Sequence, residues 1–364
     1  MRILALVTDA FGGRGGISEY NRYLLKALSG DAIGAEVIVL PRLKEVCSEK
    51  CPERVFQLKS EQNRLLYTIK AMKTICQQGP FDIVFCGHPF MAPLGLMAAR
   101  LAGASFWLQA HGRDVFNEPS RMRKRALEKA DLLTCVSEYS RGSILSWSDI
   151  SSDKVKVLYD TIDLSRFYPG PKPESLIERL GLSGKKVLLS VGRLCSDATY
   201  KGIDKVIDLL PCLLTEEPDL EYLVVGKKGD DVPRLEKLAQ NKGLASKVHF
   251  AGPVTEEELV EVYRMADWFA LPSTKEGFGI VFLEAAATGL PVLGGDSDGS
   301  REALMEGKIG IMVNVEERED LLKGMKELIK REKHIPEEIK QFSFPNFERK
   351  LKNILDDFLS EKRG

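Results

Sequence analysis

Charge of one sign is in short supply: 52 Lys and Arg meet 53 Asp and Glu, a net charge of −1. A nucleic-acid binder should carry a basic excess or stripe, so that class is set aside. A disulfide framework is missing as well. The 7 cysteines, at positions 47, 51, 76, 86, 135, 195 and 212, are odd in number and scattered. Cys47 and Cys51 have no second pair to complete a zinc site. Free thiols fit a reducing cytoplasm. Long apolar runs are also lacking. The opening run Met1–Val7 stops at Thr8-Asp9 with no small-residue cleavage site after it, and reads as a first buried strand. The weakly polar stretch 90–110 is interrupted by Pro93, Gly95, Arg100 and Gly103, which disqualifies it as a membrane span. Repeats and low-complexity segments are absent. One local exception to the balanced charge is Arg121, Arg123, Lys124, Arg125 and Lys129. Such a run is ordinarily a solvated helix face; its functional alternative is contact with phosphate or an anionic membrane surface.

What remains is a chain of 364 residues, 44% hydrophobic and 29% charged, long enough for two globular domains. Short apolar runs alternate with amphipathic helical patterns. In the first half, strands are expected at Arg2–Thr8, Ala35–Pro41, Ile83–Cys86, Phe106–Gln109 and Leu132–Val136. Helices are expected at Ile17–Leu28, Arg64–Cys76 and Pro93–Ala102. Strands separated by helices imply right-handed βαβ units and a parallel sheet. The Pro- and Gly-rich stretch around Asp163–Glu174 marks a boundary. The alternation then restarts with strands at Lys186–Val191, Glu221–Val225, Val248–Ala251, Trp268–Leu271 and Pro291–Gly294. A late stripe, Phe347, Leu351, Ile354, Leu355 and Phe358, predicts a helix that packs back across the boundary. The predicted domains are 1–168, 169–345 and a returning helix over 346–364. The fold class is α/β, with two Rossmann-like domains whose parallel sheets face across a cleft. Ligands of such sheets bind outside the carboxyl ends of the strands, so chemistry is sought in the strand-to-helix loops.

Three loops there carry candidate residues. Gly12-Gly13-Arg14-Gly15-Gly16 follows the first strand and opens the first helix, where exposed N–H groups attract phosphate. A third glycine is missing, so this is not the dinucleotide fingerprint. In the second half, Gly192-Arg193-Leu194 follows a strand and Lys201-Gly202 opens the next helix. Arg offers a planar fork and Lys a point charge for a diphosphate. The third is Glu276-Gly277-Phe278-Gly279-Ile280 running through to Glu284 and stopped by Gly289. Its helix start suits a phosphate, and its two carboxylates suit sugar hydroxyls. His249 lies in a strand and reads as structural, His88 stands at a strand end where it could touch an acceptor, and Trp107 and Trp268 read as core.

The order and spacing of these pieces resemble the family-4 retaining glycosyltransferases of GT-B fold over nearly the whole chain. The resemblance includes Gly15-Gly16-Ile17, His111-Gly112-x-Asp114, Ser137, Gly192-Arg193-Leu194, Lys201-Gly202, Gly226-x-x-Gly229, Phe250-x-Gly252-x-Val254 with Glu258-Leu259, Ala266-Asp267, Leu271-Pro272-Ser273, Glu276-x7-Glu284 and Gly289-x-Pro291-Val292. It implies that Arg193 and Lys201 bind the donor diphosphate and stabilise its leaving charge. Glu276 would hold donor-sugar hydroxyls and Glu284 the ribose. The amides of Phe278, Gly279 and Ile280 would cradle phosphate, and Gly15 and Gly16 would approach the diphosphate. His111 would hydrogen-bond near the reacting sugar, and the base would lie near Gly226 and Val254. The expected partners are a nucleotide sugar, taken as a UDP-hexose, and a carbohydrate or lipid-linked glycan. No further cofactor, no metal and no nucleic acid is expected, and the location is cytoplasmic, with peripheral contact at the inner membrane face.

This chain departs from the family pattern in three places. The Arg193-to-Lys201 gap is lengthened by Cys195–Tyr200. The linker reads Asp160-Thr161-Ile162-Asp163. Gly295–Glu302 carries Asp-Ser-Asp-Gly-Ser where a Gly-Gly pair is typical. Asp296-Ser297-Asp298 also matches the Asp-x-Asp pattern by which metal-dependent glycosyltransferases of the other major fold hold manganese. Two other functions fit the same architecture, a nucleotide-sugar epimerase and a non-catalytic sugar-nucleotide binder.

Overall fold

A computed structural model describes residues 1–13, 15–43 and 50–362. Arg14 of the glycine loop and Cys47 of the Cys47–Cys51 pair lie outside the described residues. Two compact units emerge: Met1–Thr161 with Phe344–Gly364, and Ile162–Ser343.

In unit 1 the chain runs β1 (Arg2–Val7), α1 (Gly16–Ser29), β2 (Glu36–Pro41), β3 (Val55–Gln57), α2 (Arg64–Gln78), β4 (Ile83–Cys86), α3 (Ala92–Ala102), β5 (Ser105–Ala110), α4 (Arg121–Leu127), β6 (Leu132–Cys135), α5 (Glu138–Trp147) and β7 (Val155–Val157). The sheet order is β3-β2-β1-β4-β5-β6-β7, and every pairing is parallel. The central strands are apolar on both faces, as a sheet covered by helices on each side requires; Ile3 to Val7 are wholly buried. Strand order reverses between β1 and β4, so the carboxyl ends of these two strands form the crevice where a ligand binds in such sheets.

Unit 2 continues with α6 (Glu174–Arg179), β8 (Lys186–Val191), α7 (Ile203–Leu213), β9 (Leu220–Val225), α8 (Val232–Asn241), β10 (Val248–Gly252), α9 (Glu256–Met265), β11 (Trp268–Leu271), α10 (Ile280–Ala287), β12 (Val292–Gly295), α11 (Ser300–Ala303), β13 (Ile311–Val313) and α12 (Arg318–Leu328). Its parallel order is β10-β9-β8-β11-β12-β13, with the reversal between β8 and β11. Thr255 and Glu258 start α9 with a reciprocal capping box, which accounts for that Glu without any ligand.

The last helix, α13 (Phe344–Glu361), belongs to unit 1. Its buried stripe is Phe347, Leu351, Leu355 and Phe358, and Phe347 meets the Tyr20 ring edge-on at 5.9 Å. The division between units falls after Thr161 rather than after Tyr168. Ile162 donates its N–H to the Phe342 carbonyl at 2.9 Å, and Phe167 packs against Tyr263, so the linker residues are tied to unit 2.

Candidate active site

In unit 1, the loop between β1 and α1 is braced from below. Ser18 donates to Asp9 Oδ1 at 2.5 Å, Asn21 Nδ2 donates to the Asp9 carbonyl at 2.8 Å, and Arg22 donates to the Gly13 carbonyl at 2.8 Å. Above that brace Gly15, with a left-handed φ of 96°, caps α1 and lies exposed with Gly16, the first helical residue. This exposed helix start is where the sequence expectation puts an anion.

On the other side of the reversal, β4 delivers Gly87 and His88, and β5 delivers His111. His111 Nε2 lies 3.0 Å from the Gly87 carbonyl. A carbonyl can only accept, so Nε2 is assigned the proton and Nδ1 the lone pair. Its backbone N–H donates to Asp114, and its ring meets Tyr20 edge-on at 5.1 Å. Burial, then the neighbouring His88, pushes His111 down to about 3, more than offsetting the Gly87 hydrogen bond. His88 Nδ1 accepts from the Phe90 N–H, and burial and Arg123 take its pKa down to about 4. Asp114, facing His88 at 3.9 Å, is pushed up to about 6 by burial against the pull of backbone N–H groups. Tyr20 in turn donates to Gln109 at 2.9 Å, a buried link from α1 to β5. Trp107 is core, as expected, with its indole N–H on Thr134 at 2.8 Å.

Unit 2 carries the charged loops. Arg193 is exposed and lies 3.9 Å from Asp197. Lys201 is buried and donates to Glu276 Oε1 at 2.5 Å. The inserted Cys195–Tyr200 stretch leads into a short 3-10 turn over Ser196–Lys201. The lysine stem then folds back over Gly192, where a Cβ would come within 2.8 Å of Lys201 Cδ. Burial alone would lower the Lys201 pKa, but the carboxylate of Glu276 and the Tyr200 hydroxyl more than offset it and raise it. Gly202, at φ 70°, turns the chain into α7 so closely that a Cβ would sit 2.2 Å from the Pro272 carbonyl.

Glu276 stands in the loop after β11. Gly279 caps α10, Ile280 is its first residue, and Phe278 turns inward onto Phe342 with ring centres 5.5 Å apart. The amides of residues 278–280 therefore belong to a helix start, while the Phe278 ring is packing. Glu284 is buried on α10 and accepts from Tyr263 at 2.6 Å. Gly226 joins the next loops: its N–H donates to the Gly252 carbonyl at 2.9 Å, two residues before half-buried Val254. Lys201, Glu276 and the α10 start are thus brought together at the β8/β11 reversal. Gly226 and Val254 belong to the adjoining β9 and β10 loops. His249, by contrast, pairs with Glu221 of the neighbouring strand at 2.7 Å, a structural contact.

Sequence reasoning singled out Asp298 only as half of the Asp296-Ser297-Asp298 pattern and missed its contact with the Glu276 loop. Its carboxylate is buried and occupied by the loop itself, accepting from the Glu276 N–H at 2.6 Å and the Ser300 N–H at 2.9 Å. The available signal was Asp298-Gly299-Ser300, an Asx-turn pattern. Tyr263 gave no signal at all. Among the described residues, no group of three or more His, Cys, Asp or Glu is placed to share a metal ion. None of the described helices is long and apolar enough to cross a membrane.

Two parallel-sheet units, each with a strand-order reversal, make this a chain of two Rossmann-like folds. Residues 14–166 match the family described as Glycosyltransferase Family 4, and residues 174–343 match Glycosyl transferases group 1. A GDP-mannose-dependent alpha-(1-6)-phosphatidylinositol monomannoside mannosyltransferase of Mycolicibacterium smegmatis is 31% identical over 335 residues, 85% of each chain. The protein of the same name in Mycobacterium tuberculosis is 30% identical, over 86% of this chain and 85% of its own. HepE of Anabaena, solved with UDP and glucose, shares the fold at a TM-score of 0.80 and 20% identity, covering 98% of this chain and all 100% of its own. Sucrose-phosphate synthase of Thermosynechococcus elongatus does so at 0.80 and 18%, over 99% and 100%. The chain belongs to the group 1 glycosyltransferases of family 4, with the GT-B fold.

Proposed function

We propose that the chain transfers a hexose from a nucleoside diphosphate sugar to a carbohydrate or lipid-linked acceptor, with retention at the anomeric carbon. The observation that carries this is the ion pair of buried Lys201 with half-buried Glu276 beside the start of α10. A diphosphate competes for the ammonium, and sugar hydroxyls compete for the carboxylate. Lys201 and Arg193 then stabilise the negative charge that develops as the diphosphate departs. The acceptor oxygen bonds to the anomeric carbon on the face the diphosphate leaves, and its proton passes to a diphosphate oxygen. Glycoside and nucleoside diphosphate result. His111, neutral and fixed by Gly87, contributes a hydrogen bond to the sugar, and Glu284 one to the ribose.

The relatives named for GDP-mannose favour testing that donor first, with the UDP-hexoses expected from the sequence as comparison. A ligand that binds only the folded state raises its melting temperature. GDP-mannose, UDP-glucose and ADP-glucose are each added to the wild type and to Lys201→Ala. One donor should raise the wild-type melting temperature and lose that effect in the variant. No rise with any of them overturns the donor site. With both cations supplied by the chain, transfer is proposed to be metal-independent. EDTA should leave the rate unchanged, and a loss restored by Mn²⁺ overturns this.

An anionic lipid surface is the proposed partner of α4, at the inner membrane face. Its support is exposed Met122 among Arg121, Arg123, Lys124 and Arg125, with Arg123 lying 3.9 Å over the exposed Phe90 ring. Cosedimentation with phosphatidylglycerol vesicles, but not with phosphatidylcholine vesicles, is the expected outcome.

A further inference from the structure

We infer that Asp298 is a positioning residue, whose carboxylate clasps the Glu276 loop and so sets the Glu276 side chain against Lys201. This rests on the donor-site reading of Glu276 and Lys201. Both backbone polar atoms of Glu276 are taken by two successive residues of the loop after β12. Asp298 Oδ2 accepts its N–H at 2.6 Å, and Gly299 donates to its carbonyl at 3.1 Å. With the peptide planes on either side of Glu276 fixed, its backbone dihedrals have little room, and the carboxylate is aimed at Lys201 Nζ, 2.5 Å away.

The clasp is itself held from two directions. Ser273, between β11 and the Glu276 loop, donates to Asp298 Oδ2 at 3.2 Å and lies 3.1 Å from the Ser300 hydroxyl. The Ser300 N–H donates to Asp298 Oδ1 at 2.9 Å, closing a turn. Asp298 itself is 1% exposed. A charge buried this deeply is costly even with three donors, and burial together with the nearby Glu276 carboxylate lifts its pKa to about 6 against those hydrogen bonds. A neutral residue would fill the space at less cost. What the carboxylate adds is a strong acceptor for one particular N–H. The position lies in the segment where this sequence departs from the family's Gly-Gly pattern.

The test is calorimetric binding of GDP-mannose and UDP-glucose, each against its bare nucleoside diphosphate. It compares the wild type with Glu276→Ala, Asp298→Ala, Asp298→Asn and the Glu276→Ala/Asp298→Ala double variant. Asp298→Ala should weaken the nucleotide sugar by about ten-fold and the bare diphosphate by less than about two-fold, because the lost contact is to the sugar. The double variant should bind no more weakly than Glu276→Ala. Asp298→Asn, which keeps one acceptor oxygen, should fall between the wild type and Asp298→Ala, and it carries the same comparison if Asp298→Ala does not fold. Equal weakening of both ligands, or an additive loss in the double variant, overturns the clasp. If Glu276→Ala binds the nucleotide sugar as the wild type does, the donor-site reading fails instead.

Discussion

The two sheets bring titratable groups to the same place, the carboxyl ends of the strands at the order reversal, and treat them in opposite ways. In unit 1, half-buried His88 and His111 lose more to desolvation than Asp114, 3.9 Å from His88, restores, and both are neutral at pH 7. In unit 2, Lys201 is buried but has Glu276 at 2.5 Å, and it keeps its charge. Burial by itself strips charge, while burial with a partner preserves it. One cluster is suited to orienting hydroxyls, the other to meeting a diphosphate.

The sharpest way to break this contrast is at the ion pair. Lys201→Ala should lower kcat by about 10²–10³-fold, the usual loss when a pre-organised electrostatic group is removed. Arg193→Ala, on an exposed side chain, should cost only about ten-fold, since solvent screens its charge. Transfer rates with the donor found by thermal shift check both. A larger loss at Arg193 would mean that burial is not what gives the pair its value.

Acid should separate the two clusters next. The histidines have folded pKa values near 4 and 3, against 6.5 unfolded, so the unfolded chain binds more protons between about pH 4 and 6.5. Their stabilising contribution is complete above pH 6.5 and declines as pH falls through that window. Asp114 and Asp298 run the other way. Each is raised to about 6 from 3.8, so each becomes less costly on acidification. In unit 1 the two histidines outweigh Asp114 and Asp9, whose carboxyl burial also raises, a net loss on the order of a few kcal/mol by pH 4. Hydrogen exchange at pH 7 and pH 4.5 should show β4 and β5 losing protection while β8 and β11 keep theirs. His88→Gln and His111→Gln should flatten the response. Equal loss in both units would refute it.

The smallest effect is expected at Tyr263→Phe, which removes one hydrogen bond to the buried Glu284 and should cost about 1 kcal/mol in chemical denaturation. Donor affinity should change by less than about five-fold if Glu284 is held mainly by its helix.

Much of this was legible from pattern. The doubly wound strands have continuous apolar runs, which is why Lys186–Val191 and Trp268–Leu271 were located to the residue. The short strands Val55–Gln57, Val155–Val157 and Ile311–Val313 were not, because three residues carry no period and their identity comes from the neighbour they pair with. The Lys201–Glu276 grouping was anticipated from motif order, but not the ion pair itself, since it joins residues on separate loops. Asp298 looked like a loop aspartate because its worth lies in one N–H that only the folded loop presents to it.

The helix Phe344–Glu361 completes unit 1 although the chain reaches it only after unit 2 has ended at Ser343. During synthesis, therefore, the second unit has all its residues before the first one does. Until that helix emerges, Tyr20 and Tyr23 lack the rings of Phe347 and Phe344, and the face of α1 that they occupy stays wet. A nascent chain halted near Ser343 should hold a finished unit 2 beside a unit 1 that still recruits chaperones.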